Sequence, residues 1–164
     1  MAESGSFADF YAATVDRLLG QLHPVTGDLH EAEEVVEEAF ARASVRWSWP
    51  RDYDVPEARV RRVAMNLAAD RARRLRRQAR AMLRRSPPPA APPISIEALA
   101  LAQALRTLPV RQRQVIVLHH LADLPIEEVA RTLAIRDGTV KSLLARGRRA
   151  LAAKLADRQE VPYP

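Results

Sequence analysis

The sequence predicts an all-α protein, with two small helical domains over residues 1–80 and 95–157, a proline-rich linker over 81–94 and a short tail over 158–164. Three observations carry that prediction. Apolar residues recur at steps of three and four along nearly the whole chain, the spacing of a buried helical stripe. A block of prolines, Pro87, Pro88, Pro89, Pro92 and Pro93, interrupts the pattern where a helix cannot continue. Charge is segregated as well: residues 1–56 hold 4 Arg against 11 acids, residues 57–94 hold 11 Arg against 2, and residues 95–164 hold 11 basic against 7 acidic side chains.

The first helix is marked by Phe7, Phe10, Tyr11, Val15, Leu18 and Leu22, and His23-Pro24 followed by Thr26-Gly27-Asp28 is expected to end it. A second helix from about Leu29 to Trp47 carries the stripe Ala32, Val35, Val36, Ala39, Phe40 and Ala43. Five glutamates fall within residues 31–38, a concentration of acid in a chain of net charge +6, and the stripe leaves Glu31, Glu34 and Glu38 on a neighbouring face. Residues 48–55, "SWPRDYDV", read as a loop. The third helix starts near Pro56 or Glu57, with Val60, Val63, Ala64, Leu67 and Ala68 inward and a ladder of arginines outward. The linker favours polyproline II, and at ~3.1 Å per residue it could reach ~40 Å.

Residues 126–151, "IEEVARTLAIRDGTVKSLLARGRRAL", have the spacing of a helix-turn-helix: a small residue, Ala130, in the first helix, and apolar anchors at Val129, Leu133, Ile135, Val140 and Leu143. Asp137 is placed to cap the second helix. Ala134 stands at the turn position usually held by glycine, where a positive φ would cost on the order of 1 kcal/mol. Arg136, Thr139, Lys141, Ser142, Arg146, Arg148 and Arg149 present donors suited to base edges and phosphates.

Composition narrows the function further. The net charge of +6 calls for an anionic partner, without separating nucleic acid from a membrane surface. There is no cysteine, and His23, His30, His119 and His120 have no ligand spacing, so neither a metal nor a cofactor is expected. No signal peptide and no long apolar run are visible, so a cytoplasmic location without membrane insertion is expected. Pairs such as Glu31 with His30 or Asp70 with Asn66 lack a nucleophile, a metal set or a glycine-rich phosphate loop, so no catalytic role is expected.

Three stretches in order, "TGDLHEAEEVVEEAFARA", "PEARVRRVAMNLAADRARR" and "LRTLPVRQRQVIVLHHLADLPIEEVARTLAIRDGTVKSLLARGRRAL", with a proline linker before the last, resemble the bacterial extracytoplasmic-function (ECF, group 4) sigma factors of the sigma-70 family, actinobacterial type. The resemblance covers nearly the whole chain. It implies a sigma factor that binds core RNA polymerase, through the β′ clamp coiled coil and the β flap, recognises promoter DNA and opens its strands. Glu31, Glu34, Val35 and Glu38 would contact polymerase, where complementary charge speeds encounter and fixes register. Asn66 matches the family asparagine lining the pocket for a flipped minus-ten base, with Val63 one turn before it. Arg61, Arg62, Arg73, Arg74 and Arg77 would hold phosphates, and Trp49 could stack on a displaced base, with Trp47 and Tyr53 nearby. The minus-thirty-five element would be read by Arg136, Thr139, Lys141, Ser142, Arg146 and Arg149. An anti-sigma factor is a further partner common in the family. The chain departs from the family pattern at Arg59, usually aromatic, and at Leu143, commonly Arg. A stand-alone helix-turn-helix regulator is the alternative; it leaves the acidic helix without a role.

Overall fold

Helix α1, Phe7–Thr26, begins at a reciprocal cap. The Ser6 hydroxyl accepts the Asp9 N–H at 3.1 Å, and the Asp9 carboxylate accepts the Ser6 N–H at 3.2 Å. The helix ends within the expected His23–Asp28 segment, but at its later part: it runs through Pro24 and stops after Thr26. Pro24 leaves one helical acceptor without its donor, the carbonyl of exposed Gly20, which water can satisfy. Gly27 sets the stop instead, at φ +78°, with its N–H donated to the His23 carbonyl at 2.8 Å.

This computed structural model describes residues 6–47, 56–81 and 95–159. Trp49, Tyr53 and linker residues 82–94 lie outside the described residues, as do 160–164 of the tail. Helix α2, Leu29–Ser44, is capped by Asp28, whose carboxylate accepts the Glu31 N–H at 2.8 Å. It stops three residues short of the expected Trp47, because Val45–Trp47 turn away from the helix. The Trp47 ring then packs against Phe7 and Phe10, with centroids 5.1 and 5.0 Å away. Helix α3, Pro56–Ala81, starts on the proline, whose missing N–H costs nothing at the first helical position. These three helices form a bundle around Leu18, Leu22, Val25, Val35, Val36, Phe40, Val60 and Met65.

The second half holds α4 (Ile96–Arg106), α5 (Val110–Ile116), a π-helical turn Val117–Leu121, α6 (Ile126–Leu133) and α7 (Asp137–Gln159). Among the described residues there is no strand. Helices α6 and α7 form the expected helix-turn-helix. Val129, Leu133 and Val140 are buried as anchors, but the leucine buried with Val140 on α7 is Leu144, whereas Leu143 is half-buried. Asp137 lies inside the first turn of α7, not at its cap. Ala134 does take the left-handed conformation, φ 54° and ψ 46°, with its N–H returned to the carbonyls of Ala130 and Arg131. Ala134→Gly is therefore expected to raise stability by about 0.5–1 kcal/mol, relief of the Cβ clash exceeding the added freedom of the unfolded chain. Urea denaturation of the two proteins checks this.

The core does not stop at the linker. One apolar cluster runs from Leu18 and Met65 through Leu105, Val115 and Leu118 to Val140 and Leu144. Helix α5 rests on α1 and α3, and α6 rests on α3. Gln114, fully buried, donates from Nε2 to the Met65 carbonyl of α3 at 2.7 Å and accepts at Oε1 from Arg111 at 3.2 Å. Arg113 donates to the Val25 carbonyl in the last turn of α1 at 2.6 Å. The two halves are thus packed together by apolar surface and by buried polar bonds.

Candidate nucleic-acid interface

The stripe that drives α2 into the bundle turns its acids outward. Glu33 and Glu37 are exposed and, among the described residues, have neither a hydrogen bond nor an ion pair. Glu34 is exposed too, but its carboxylate meets Arg71 of α3 at 2.7 Å. Glu38 meets Arg42 at 2.6 Å and Arg71 at 3.4 Å. The Arg42 hydrogen bond, aided by Arg71, holds the Glu38 carboxyl below the usual carboxylate range. Glu31 goes the other way: burial pushes its carboxyl up, only partly opposed by Arg71. Arg71, although burial pulls it down, is raised on balance by its bonds to Glu34 and Glu38. The signs for stability are therefore opposite. Glu38 contributes stability present above its unfolded pKa and lost as pH falls through its lowered folded value, whereas Glu31 favours the fold at acid pH and loses that contribution as pH rises.

Val35, expected at the polymerase contact, is a correction: it is fully buried, because it shares the inward stripe with Ala32, Val36 and Ala39. Glu33 and Glu37 are the acids that the sequence reading did not select. Helical position alone does not single them out, since Glu34 lies farther from the Ala32–Val36–Ala39 stripe; what sets them apart is that Arg71 of α3 reaches Glu34 and Glu38 and not these two.

Helix α3 separates an inner and an outer face along one run. In Val60–Ala69 every residue is buried or half-buried except Asn66, which is exposed. Arg62 and Val63, one turn before it, are half-buried. Arg61, expected to hold a phosphate, is a second correction. It is 6% exposed, donates to Gln21 at 3.0 Å and to Glu57 at 2.9 Å, and lies 3.7 Å from Glu128 of α6. Its guanidinium is committed to the interior because it sits one turn after Glu57 on the face turned toward α1 and α6. Beyond Asn66 the helix emerges from the bundle, and Arg73, Arg74 and Arg77 are all exposed. Asp70 pairs with Arg73, whose hydrogen bond holds that carboxyl below its ordinary value.

In the helix-turn-helix every predicted reader is exposed: Arg136, Thr139, Lys141, Ser142, Arg146 and Arg149. The Ser142 hydroxyl donates to the Gly138 carbonyl at 3.0 Å, which leaves its lone pairs outward. Arg148 instead donates to His120 Nε2 at 3.2 Å, tying α7 to the π-helical turn. Gly147 allows that approach of α7 to α5, since a Cβ there would lie 2.6 Å from Ile116 Cδ1. Gly147→Val is expected to cost about 1–3 kcal/mol by overpacking this contact. Thermal melting would measure it.

Among the described residues no group of His, Asp or Glu is arranged to hold a metal ion, and no helix is long and apolar enough to cross a membrane. What the surface offers is an acidic face on α2, an exposed amide and arginine stripe on α3, and a helix-turn-helix with its donors outward.

Comparison with known proteins places this arrangement. Residues 98–151 match the family model of sigma-70, region 4. The chain is 31% identical over 160 residues to the RNA polymerase sigma-E factor of Streptomyces coelicolor, covering 96% of this chain and 90% of that protein. It is 29% identical over 174 residues to the ECF RNA polymerase sigma factor SigW of Bacillus subtilis, covering 94% and 91% of the two chains. Among solved structures, the sigma factor RpoE of Bartonella quintana, crystallised in complex with the anti-sigma factor NepR, shares the fold at a TM-score of 0.74 and 19% identity, over 92% of this chain and 96% of that one. With a relative of this identity aligned along nearly its whole length, and with both the helical bundle and the helix-turn-helix in place, the chain belongs to the ECF sigma factors of the sigma-70 family.

Proposed function

We propose that this protein binds core RNA polymerase, directs it to promoters bearing minus-ten and minus-thirty-five elements, and nucleates strand opening. The observation that carries this reading is Asn66, an exposed amide in an otherwise buried or half-buried run, with exposed arginines beginning two turns later. Opening a duplex requires capture of an unstacked base, whose unstacking costs a few kcal/mol that edge hydrogen bonds and stacking recover. An amide offers both a donor and an acceptor to a base edge, and Arg73, Arg74 and Arg77 supply the phosphate contacts that keep the strand near it. Arg136, Thr139, Lys141, Ser142, Arg146 and Arg149 would read the upstream element, with α7 in the major groove.

The polymerase contact is assigned to the acidic face of α2, and a second contact, to the β flap, to the helix-turn-helix half. An anti-sigma factor is the natural third partner, as the Bartonella quintana neighbour was crystallised with one. The halves act as separate modules in this reading. Elements two helical turns apart are ~70 Å along the duplex, whereas a packed chain of this length has a radius of gyration of only ~15 Å. Promoter engagement therefore separates the halves, and residues 82–94 bridge them.

Run-off transcription from a genomic fragment library, with core polymerase and with or without the protein, tests the proposal. New start sites dependent on the protein are expected. Sequence-specific DNA binding without polymerase, and no new start sites with it, would instead favour a stand-alone regulator.

A further inference from the structure

Arg73, Arg76, Arg77 and Arg80 line a groove of about 350 Å³ on the outer face of α3. All four are exposed, and no carboxylate lines the groove. Asp70 engages Arg73, but Arg76, Arg77 and Arg80 have no hydrogen bond or ion pair among the described residues. The positive charge continues across the seam between the two halves. Packing of α5 on α3 brings half-buried Arg111 into the field of Arg73, and Arg113 into that of Arg76 and of Arg106 from α4; burial first, and then these like charges, lower the proton affinity of Arg111 and Arg113, only partly opposed by Asp70 and Glu31 respectively. Gln114, bonded both to Arg111 and to the Met65 carbonyl, holds the repelling groups at this place. The groove itself is lined by guanidiniums of α3 alone; Asp70 compensates Arg73 at one end of it, and Arg111 adds positive charge from the α5 side of the seam.

The α3 arginines extend over seven positions, roughly 10 Å of axis at ~1.5 Å per residue. A single sulfate or phosphate covers only part of that length. A chain of three or more phosphoryl groups covers all of it, and each guanidinium can grip such oxygens with paired N–H bonds. We propose that this seam binds a linear oligophosphate, held by Arg73, Arg76, Arg77 and Arg80 and neutralising Arg111 from the α5 side, and that the bound anion favours the packed arrangement of the two halves. Because Arg73 and Arg77 also serve the promoter reading, the anion and promoter DNA would compete; that consequence rests on the proposed function, whereas the binding itself does not.

The test is calorimetric titration of the full chain with sodium tripolyphosphate, without DNA or polymerase, against sulfate at matched ionic strength. Tripolyphosphate is expected to bind more than about 10-fold tighter than sulfate and to raise the melting temperature steadily with the logarithm of its concentration above the dissociation constant. Arg76→Gln with Arg80→Gln should weaken binding by about 10-fold or more, and Arg111→Gln on the opposite half by several-fold, while Arg111→Lys, which keeps the charge, retains most of the affinity. ATP forms a parallel arm: tighter binding than tripolyphosphate assigns the site to a nucleotide, weaker binding to an inorganic chain, and either ranking supports the site. Tripolyphosphate no tighter than sulfate would overturn the proposal. So would wild-type affinity in Arg111→Gln, since α3 alone would then be attracting anions.

Discussion

Reversing Glu33 and Glu37 to lysine is expected to abolish co-purification with core RNA polymerase, weakening association by more than about 100-fold, while leaving the fold intact. The reasoning combines accessibility with the absence of internal partners. Both carboxylates are exposed and unpaired among the described residues, so nothing inside the molecule depends on their sign. A basic partner surface does depend on it, because like charges juxtaposed at an interface cost several kcal/mol. Glu34 and Glu38 provide the comparison. Reversing those two should also impair docking, but it would set two lysines against Arg71, which now bonds to Glu34 at 2.7 Å and Glu38 at 3.4 Å. That variant should therefore melt at a lower temperature, whereas Glu33→Lys with Glu37→Lys should not. Pull-down with core polymerase across a salt series, with circular dichroism of each variant, separates the cases, since an exposed charged contact weakens as salt rises. Equal recovery of Glu33→Lys/Glu37→Lys and wild type would remove α2 from the polymerase interface.

Much of the fold was legible because helical periodicity and caps are local signals. The inward stripe of α2, the start of α3 at Pro56 and the left-handed Ala134 all follow from spacing within a turn or two. The misses are tertiary. Glu57, one turn earlier, distinguishes Arg61 from Arg62 locally, but it takes Gln21, 40 positions away, and Glu128 of α6 to draw that guanidinium into the interior. Val35 was assigned to a partner although its own helical stripe predicts burial, so there the resemblance outweighed the periodicity and the periodicity was right. Glu33 and Glu37 were passed over because Arg71, which sets Glu34 and Glu38 apart from them, lies on another helix. The packing of the two halves was not readable from the sequence at all, because a proline block shows where helices stop and not whether the flanking bundles touch.

That packing leads to the second large effect. Gln114→Ala removes a fully buried side chain together with its bond to the Met65 carbonyl and its bond from Arg111. The loss combines a cavity with a broken buried hydrogen bond, and about 2–4 kcal/mol is expected. Because the bond crosses from α5 to α3, the loss falls on the contact between the halves more than on either bundle. Thermal unfolding, expected to be a single transition in the wild type, should broaden or split in the variant, and small-angle scattering should show a larger radius of gyration for the folded chain. If promoter engagement requires the halves to separate, the packed arrangement opposes it. Gln114→Ala should then lower stability yet support transcription with core polymerase at or above the wild-type level per folded molecule. A residue that merely supports the fold would lower both together. Parallel loss of stability and of run-off transcript, after correction for the folded fraction, would show that the packed arrangement is itself the working form.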